Sequence, residues 1–141
     1  MSFDICISVF DNEDSYLLPV ARIREAFEKH IGSDYGDGLW RLVFDEGPSL
    51  AEVDISTDAM IDGEAMVGGF VVSRPPGYLA FWEIIAGLLR DLPCVLYWGG
   101  GAVMGSLDML QHLPKSFVEA AGIPLVSIDP ERIRQHVRDN S

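Results

Sequence analysis

Basic residues are scarce in this chain. Its 141 residues hold ten Lys and Arg against 22 Asp and Glu, a formal net charge of −12. Nucleic acid is therefore not an expected direct partner, because phosphate neutralisation needs a basic surface. Long apolar runs are also lacking. The longest, Tyr78 to Leu89, is interrupted by Glu83, so no membrane span is expected. The opening residues Met1-Ser2-Phe3-Asp4 carry neither the basic segment nor the apolar core of a signal peptide. Cysteine is limited to Cys6 and Cys94, each in an apolar, strand-like run. Two buried free thiols in a reducing cytoplasm are the reading that follows.

Signatures of catalysis and metal binding are missing as well. His30, His112 and His136 lie far apart, each near an expected helix end, where imidazole stabilises the last carbonyls. There is no His-Glu-x-x-His, no Cys-x-x-Cys and no His-x-Glu element, so neither a zinc site nor another cofactor is expected. A dyad of Cys94 with a histidine would require a buried thiol to become exposed and activated. Ser106, in Met104-Gly105-Ser106-Leu107-Asp108, lacks the Gly-x-Ser-x-Gly frame of a hydrolase nucleophile. Glu83, the lone acid of an apolar helix, reads as a wet edge or a structural ion pair.

What is present centres on Pro93 to Ser106. An apolar run rich in β-formers meets Gly99-Gly100-Gly101 and restarts with small and apolar residues. A strand delivering a glycine turn to a helix is a common ligand site in α/β proteins. The spacing argues against a dinucleotide fingerprint. Counting from Gly99 the third residue is Gly101, but the sixth is Met104, and Gly105 comes one place late. No Gly-Lys-Ser/Thr follows, which excludes a Walker loop. Tight turning and close packing explain the glycines. A small-molecule or anion-binding enzyme using Gly99, Gly100, Gly101 and Ser106 is the alternative they leave open.

Around this stretch the pattern predicts a single domain over 1–141, with elements in the order β-α-β-β-β-α-β-α-β-α. Phe3, Ile5, Ile7 and Val9 alternate with Asp4, Cys6, Ser8 and Phe10 in a first strand whose second face is mixed. Val20, Ile23, Phe27 and Ile31 form a helical stripe ended by Gly32, and 32–38 reads as a loop. Trp40, Leu42 and Phe44 share one strand face. In the next strand Ala51, Val53 and Ile55 oppose Glu52, Asp54 and Ser56. Ala65 to Ser73 follows as a third strand, with Gly68-Gly69 as a bulge or close-packing point. A helix over Tyr78 to Arg90 is apolar nearly all round. A strand over Pro93 to Trp98, short helices on either side of Pro114 and a strand at 125–128 come next. Asp129-Pro130 then caps a terminal helix. The fold class is α/β (α+β): a mixed sheet, with an antiparallel meander in the first half, flanked by helices.

Charge divides the chain unevenly. Residues 1–70 hold 15 acids against Arg22, Arg24, Lys29 and Arg41, a net of −11, whereas residues 71–141 sum to −1. The candidate partner-facing set is Asp11, Glu13, Asp14, Asp34, Asp37, Asp45, Glu46, Glu52, Asp54 and Asp58, with Tyr35 and Trp40 among them as aromatic anchors. A basic protein is the partner such a surface suits.

The run Arg74-Pro75-Pro76-Gly77-Tyr78-Leu79-Ala80-Phe81-Trp82, with Leu96-Tyr97-Trp98-Gly99-Gly100-Gly101 and His112-Leu113-Pro114, resembles the bacterial immunity proteins of contact-dependent inhibition and other polymorphic toxin systems. The chain's size and acidic front half resemble them too. The resemblance spans roughly residues 70–115 and implies a cytoplasmic protein that works by binding a cognate toxin domain, many of which are basic nucleases. It implies no catalytic residues.

Overall fold

The structure, a computed structural model, describes residues 3–141. Its elements run β1 (Asp4–Asp11), β2 (Asp14–Ser15), β3 (Leu18–Pro19), α1 (Val20–Phe27), β4 (Ile31–Asp34), β5 (Leu39–Leu42), β6 (Glu52–Asp54), β7 (Ala59–Ile61), β8 (Glu64–Val67), β9 (Gly69–Ser73), α2 (Leu79–Asp91), β10 (Cys94–Trp98), β11 (Gly101–Met104), α3 (Lys115–Ala121), β12 (Leu125–Val126) and α4 (Pro130–Asp139). Two 3₁₀ turns lie at Glu28–His30 and Leu107–His112. Among the described residues the main sheet is ordered β12-β11-β10-β1-β9-β6-β5-β4, with β2 attached to β1, and β3-β8-β7 form a small second sheet. All the main-sheet pairings are antiparallel except β11 with β12, giving the mixed sheet flanked by helices that the sequence pattern predicts.

The sidedness of the sheet follows from period-two alternation. Ile5, Ile7 and Val9 of β1 point to one face, joined by Phe70 and Val72, Val53, Trp40 and Leu42, Leu96 and Val103, all buried. Helices α1, α2 and α4 cover that face with Ile23, Phe27, Phe81, Trp82, Ile85, Leu88, Leu89, Ile133 and Val137. Burying each such side chain contributes about 1.5–3 kcal/mol. Helix α2 is apolar on several sides because it packs on the sheet and also against α1 and α4, while Glu83 stays exposed. Helix α4 starts as expected: the Asp129 carboxylate accepts the Glu131 N–H at 3.0 Å and Pro130 sits in the first turn. On the opposite face only the β10–β11 end is covered. There Val95, Ala102 and Met104 pack under the second 3₁₀ turn and α3, through Met109, Leu113, Phe117 and Val118.

Four local expectations are corrected. Gly99-Gly100-Gly101 does not lead into a helix. It closes an antiparallel hairpin in which Trp98 pairs with Gly101, and β11 follows. A Cβ at Gly100 would collide with the Asn140 carbonyl at the end of α4, the same oxygen that accepts the Trp98 indole N–H at 3.1 Å. That glycine lets the hairpin seat on the helix end. Next, 65–73 is not one strand. The chain breaks at Gly68, sending β8 to the small sheet and β9 to the large one. A Cβ at Gly69 would run into the Ile7 carbonyl, so only glycine permits this approach. In addition, 32–38 is not wholly loop, because Ile31–Asp34 pairs with β5 as the sheet edge. Finally, the sequence pattern predicts a turn over Ala59 to Glu64, whereas Ala59–Ile61 is a strand of a hairpin closed by Asp62-Gly63, with both residues at positive φ.

Candidate interaction face

The uncovered side of the main sheet presents the other half of each alternation. Register places Tyr97, Cys6, Val71 and Asp54 in one row across β10, β1, β9 and β6. The next row holds Asp4, Ser73, Glu52 and Arg41, and beyond the first lies Ser8 beside the bare backbone of Gly69. The result is an open groove of about 600 Å³. Tyr97 and Ser8 form one wall, Asp54, Ser56 and Asp58 the other, with Val71 and Gly69 in the floor and Ser15 and Leu17 at one end.

Packing fixes the groove's walls. The Tyr97 ring stands edge-on to Phe117 of α3, centroids 5.2 Å apart, and its hydroxyl hydrogen-bonds the Ser8 hydroxyl at 3.0 Å. Asp58 accepts the Gly68 N–H at 2.8 Å, while the Gly68 carbonyl accepts the Val9 N–H, tying the acidic wall to the central strand. Cys6, expected to be buried, is only half-buried in this face. Partial burial, then the Asp4 carboxylate, raise its thiol pKa, opposed by a hydrogen bond to Tyr97. Cys94 is buried as expected. Desolvation pushes it up to about 12, its thiol donates to the Leu88 carbonyl, and it stays an inert core thiol.

The sequence-predicted acids divide between the two ends of the sheet. Strands β1 and β6 both run antiparallel to β9, so Asp11 and the segment after Asp54 emerge at one end. The turn before β5 reaches the same end, since the Ile55 N–H bonds the Gly38 carbonyl. Asp11, Glu13, Asp14, Asp34, Asp37 and Asp58 therefore share that end, and Glu52 and Asp54 lie on the open face beside it. Asp45 and Glu46 leave β5 at the opposite end and are not brought together with the rest. Trp40 corrects the expectation of an exposed anchor. It is 3% exposed on the helix-covered face, with the Arg24 guanidinium 5.3 Å from its ring. Tyr35, 55% exposed between Asp34 and Asp37, is the aromatic that reaches solvent. Asp34 is already occupied: the Gly36 N–H, then Arg24 at 2.7 Å, hold its carboxyl below the ordinary aspartate range.

The tip of the β1–β2 hairpin is tied by hydrogen bonds to His112. Asn12 and Glu13 both have positive φ in a two-residue turn. The Glu13 N–H donates to the His112 carbonyl, and His112 Nδ1 accepts the Asn12 N–H at 3.1 Å and lies 3.3 Å from Asp11. The other two histidines serve packing: His30 stacks on Phe44 and bonds the Val43 carbonyl, and His136 stands edge-on to Trp98.

The glycine-turn alternative does not assemble. Gly99, Gly100 and Gly101 line one cleft with Tyr97 and Phe117, whereas Ser106 lies past the far end of β11 in a different cleft with Leu89 and Asp108. Among the described residues no three His, Cys, Asp or Glu side chains come together as a metal site, and no helix is long and apolar enough to cross a membrane. Residues of the groove that the sequence reading passed over are Cys6, Ser8, Val71 and Tyr97. Their one signal was the mixed polar face of the first strand. Comparison with family models, curated proteins and solved structures gives no match to this chain.

Proposed function

We propose that this chain is an immunity protein that acts in the cytoplasm by binding and neutralising a cognate basic toxin domain, of nuclease type. The observation that carries the reading is uncompensated acidity. Among the described residues Glu13, Asp14, Asp37, Glu52, Asp54 and Asp58 have no cationic group within 4.0 Å. They lie on one end and one open face, beside exposed Tyr35. Carboxylates held without partners cost stability through mutual repulsion, a cost that a cationic partner removes. A cleft built to hold phosphates is such a partner, and long-range attraction speeds encounter with it.

The test mixes the purified chain with the toxin domain encoded beside it. A complex and loss of toxin activity are expected, and no complex at about micromolar concentration would sink the reading. The charge component has its own signature. Glu52→Lys with Asp54→Lys should slow association far more at low salt than at high salt. An association rate unchanged at both salts would move the interface off this face.

A further inference from the structure

We infer that the groove on the open sheet face is the docking site for an extended, arginine-bearing segment of the partner protein. The inference rests on the reading of a basic protein partner and adds where it binds and through which side chains.

Shape selects the size of the occupant. From Tyr97 to Asp54 the groove crosses three inter-strand spacings, about 14 Å at about 4.8 Å each. One small cation cannot touch both walls, whereas an extended segment laid across the strands does. The floor is smooth because Gly69 has no side chain, and Val71 beside it offers an apolar seat for the aliphatic part of a side chain. No residue lining the groove is basic, and no helix covers it.

Chemistry selects the type of side chain. The Asp54 carboxylate is exposed and has no partner among the described residues. Asp58 uses only Oδ2, on the Gly68 N–H, which leaves Oδ1 free to accept. The Ser56 hydroxyl lies with them on this wall. Several acceptors on one wall suit the planar, five-donor guanidinium better than a point-like ammonium. On the other wall the Tyr97 ring, braced by Phe117, and the paired Ser8 and Tyr97 hydroxyls offer a flat apolar edge with donors and acceptors for a peptide backbone. Two carboxylates on one side and an aromatic wall on the other fix the direction in which the segment lies.

The probe is a hexa-arginine peptide titrated into the ¹⁵N-labelled full chain. Amide shifts are expected to concentrate at Cys6, Ser8, Asp54, Gly69 and Val71. Asp54→Asn with Asp58→Asn keeps the side-chain shapes and should weaken binding about tenfold. Asp45→Asn with Glu46→Gln, at the far end, should change it less than about twofold. Val71→Trp fills the floor without altering charge and should weaken the peptide about as much as the double Asn variant, with spectra confirming an intact fold. Shifts that map elsewhere, or equal weakening by the Asp45/Glu46 variant, would overturn the proposal. So would free arginine competing as well as the peptide per guanidinium. The same variants separate this proposal from the broader reading. If the toxin domain binds the Asp54/Asp58 variant undiminished, the groove is not the docking site and the immunity function stands. If the peptide seats in the groove and no toxin complex forms, the immunity function falls and the groove's guanidinium chemistry stands.

Discussion

The two faces of the main sheet are built from the same strands and do opposite things. On the helix-covered face β1, β5, β6, β9, β10 and β11 contribute large apolar side chains with almost no exposure, and the polar groups there, such as the Trp82 and Trp98 indoles, have carbonyl partners. On the open face the same strands display carboxylates, hydroxyls and one half-buried thiol around a groove. Since neighbouring residues of one strand face opposite ways, the core and the open polar surface are separated by a single residue step rather than by distance. Side chains can therefore change on the open face with little cost to the fold, provided the backbone register holds.

The largest break in this comparison comes from the covered face. Phe81→Ala empties a fully buried site under α2 and should cost about 3–5 kcal/mol in urea unfolding, with the chain close to global unfolding. Adjacent residues of β9 sharpen it. Val72→Ala, at 0% exposure, should cost about 2 kcal/mol, whereas Val71→Ala, facing the groove, should cost below about 1 kcal/mol. Equal losses would mean that the groove floor is part of the core. Titration distinguishes the two thiols. Cys94 binds its proton more tightly folded than unfolded, so it leaves stability unchanged below the unfolded value of 9.0. Stability then falls as pH rises from there to about 12. The expected slope is up to about 1.4 kcal/mol per pH unit, and Cys94→Ala should flatten it. The smallest effect belongs to the hairpin tip. Glu13 holds φ 69, so Glu13→Gly should raise stability by roughly 0.5–1 kcal/mol while weakening the partner complex. A variant that loses stability would show that the Glu13 side chain anchors the turn.

Much of this division was legible in sequence. Alternation put Ile5, Ile7 and Val9 on one side and Cys6 and Ser8 on the other, and it grouped Trp40 with Leu42 and Phe44, which is how they sit. The error over Trp40 came from weighing its acidic neighbours above its place in that alternation. What alternation does not carry is strand order. The groove exists because β10, β1, β9 and β6 are adjacent, which no local signal encodes. The break at Gly68 was hidden inside a continuous apolar run, and β11 behind a glycine cluster that suggested a helix. Strand β4 was hidden because Gly32-Ser33-Asp34 has no periodicity to read.

The placement of β1 has a consequence for how the molecule is made. Cys6 pairs with Val71 on one side and with Tyr97 on the other, so this strand leaves the ribosome well before the neighbours it pairs with. Until they emerge its apolar face and most of both edges are open, with only the Phe10–Asp11 end paired to β2. The topology makes the chain a slow folder through non-local pairing, with an exposed strand available to holdase chaperones or to another nascent copy in the interval. Removing β1 would not trim an edge but split the sheet into β10-β11-β12 and β9-β6-β5-β4, two pieces with no shared hydrogen bonds. The strand that carries Cys6 and Ser8 into the groove is thus also the seam that joins the protein.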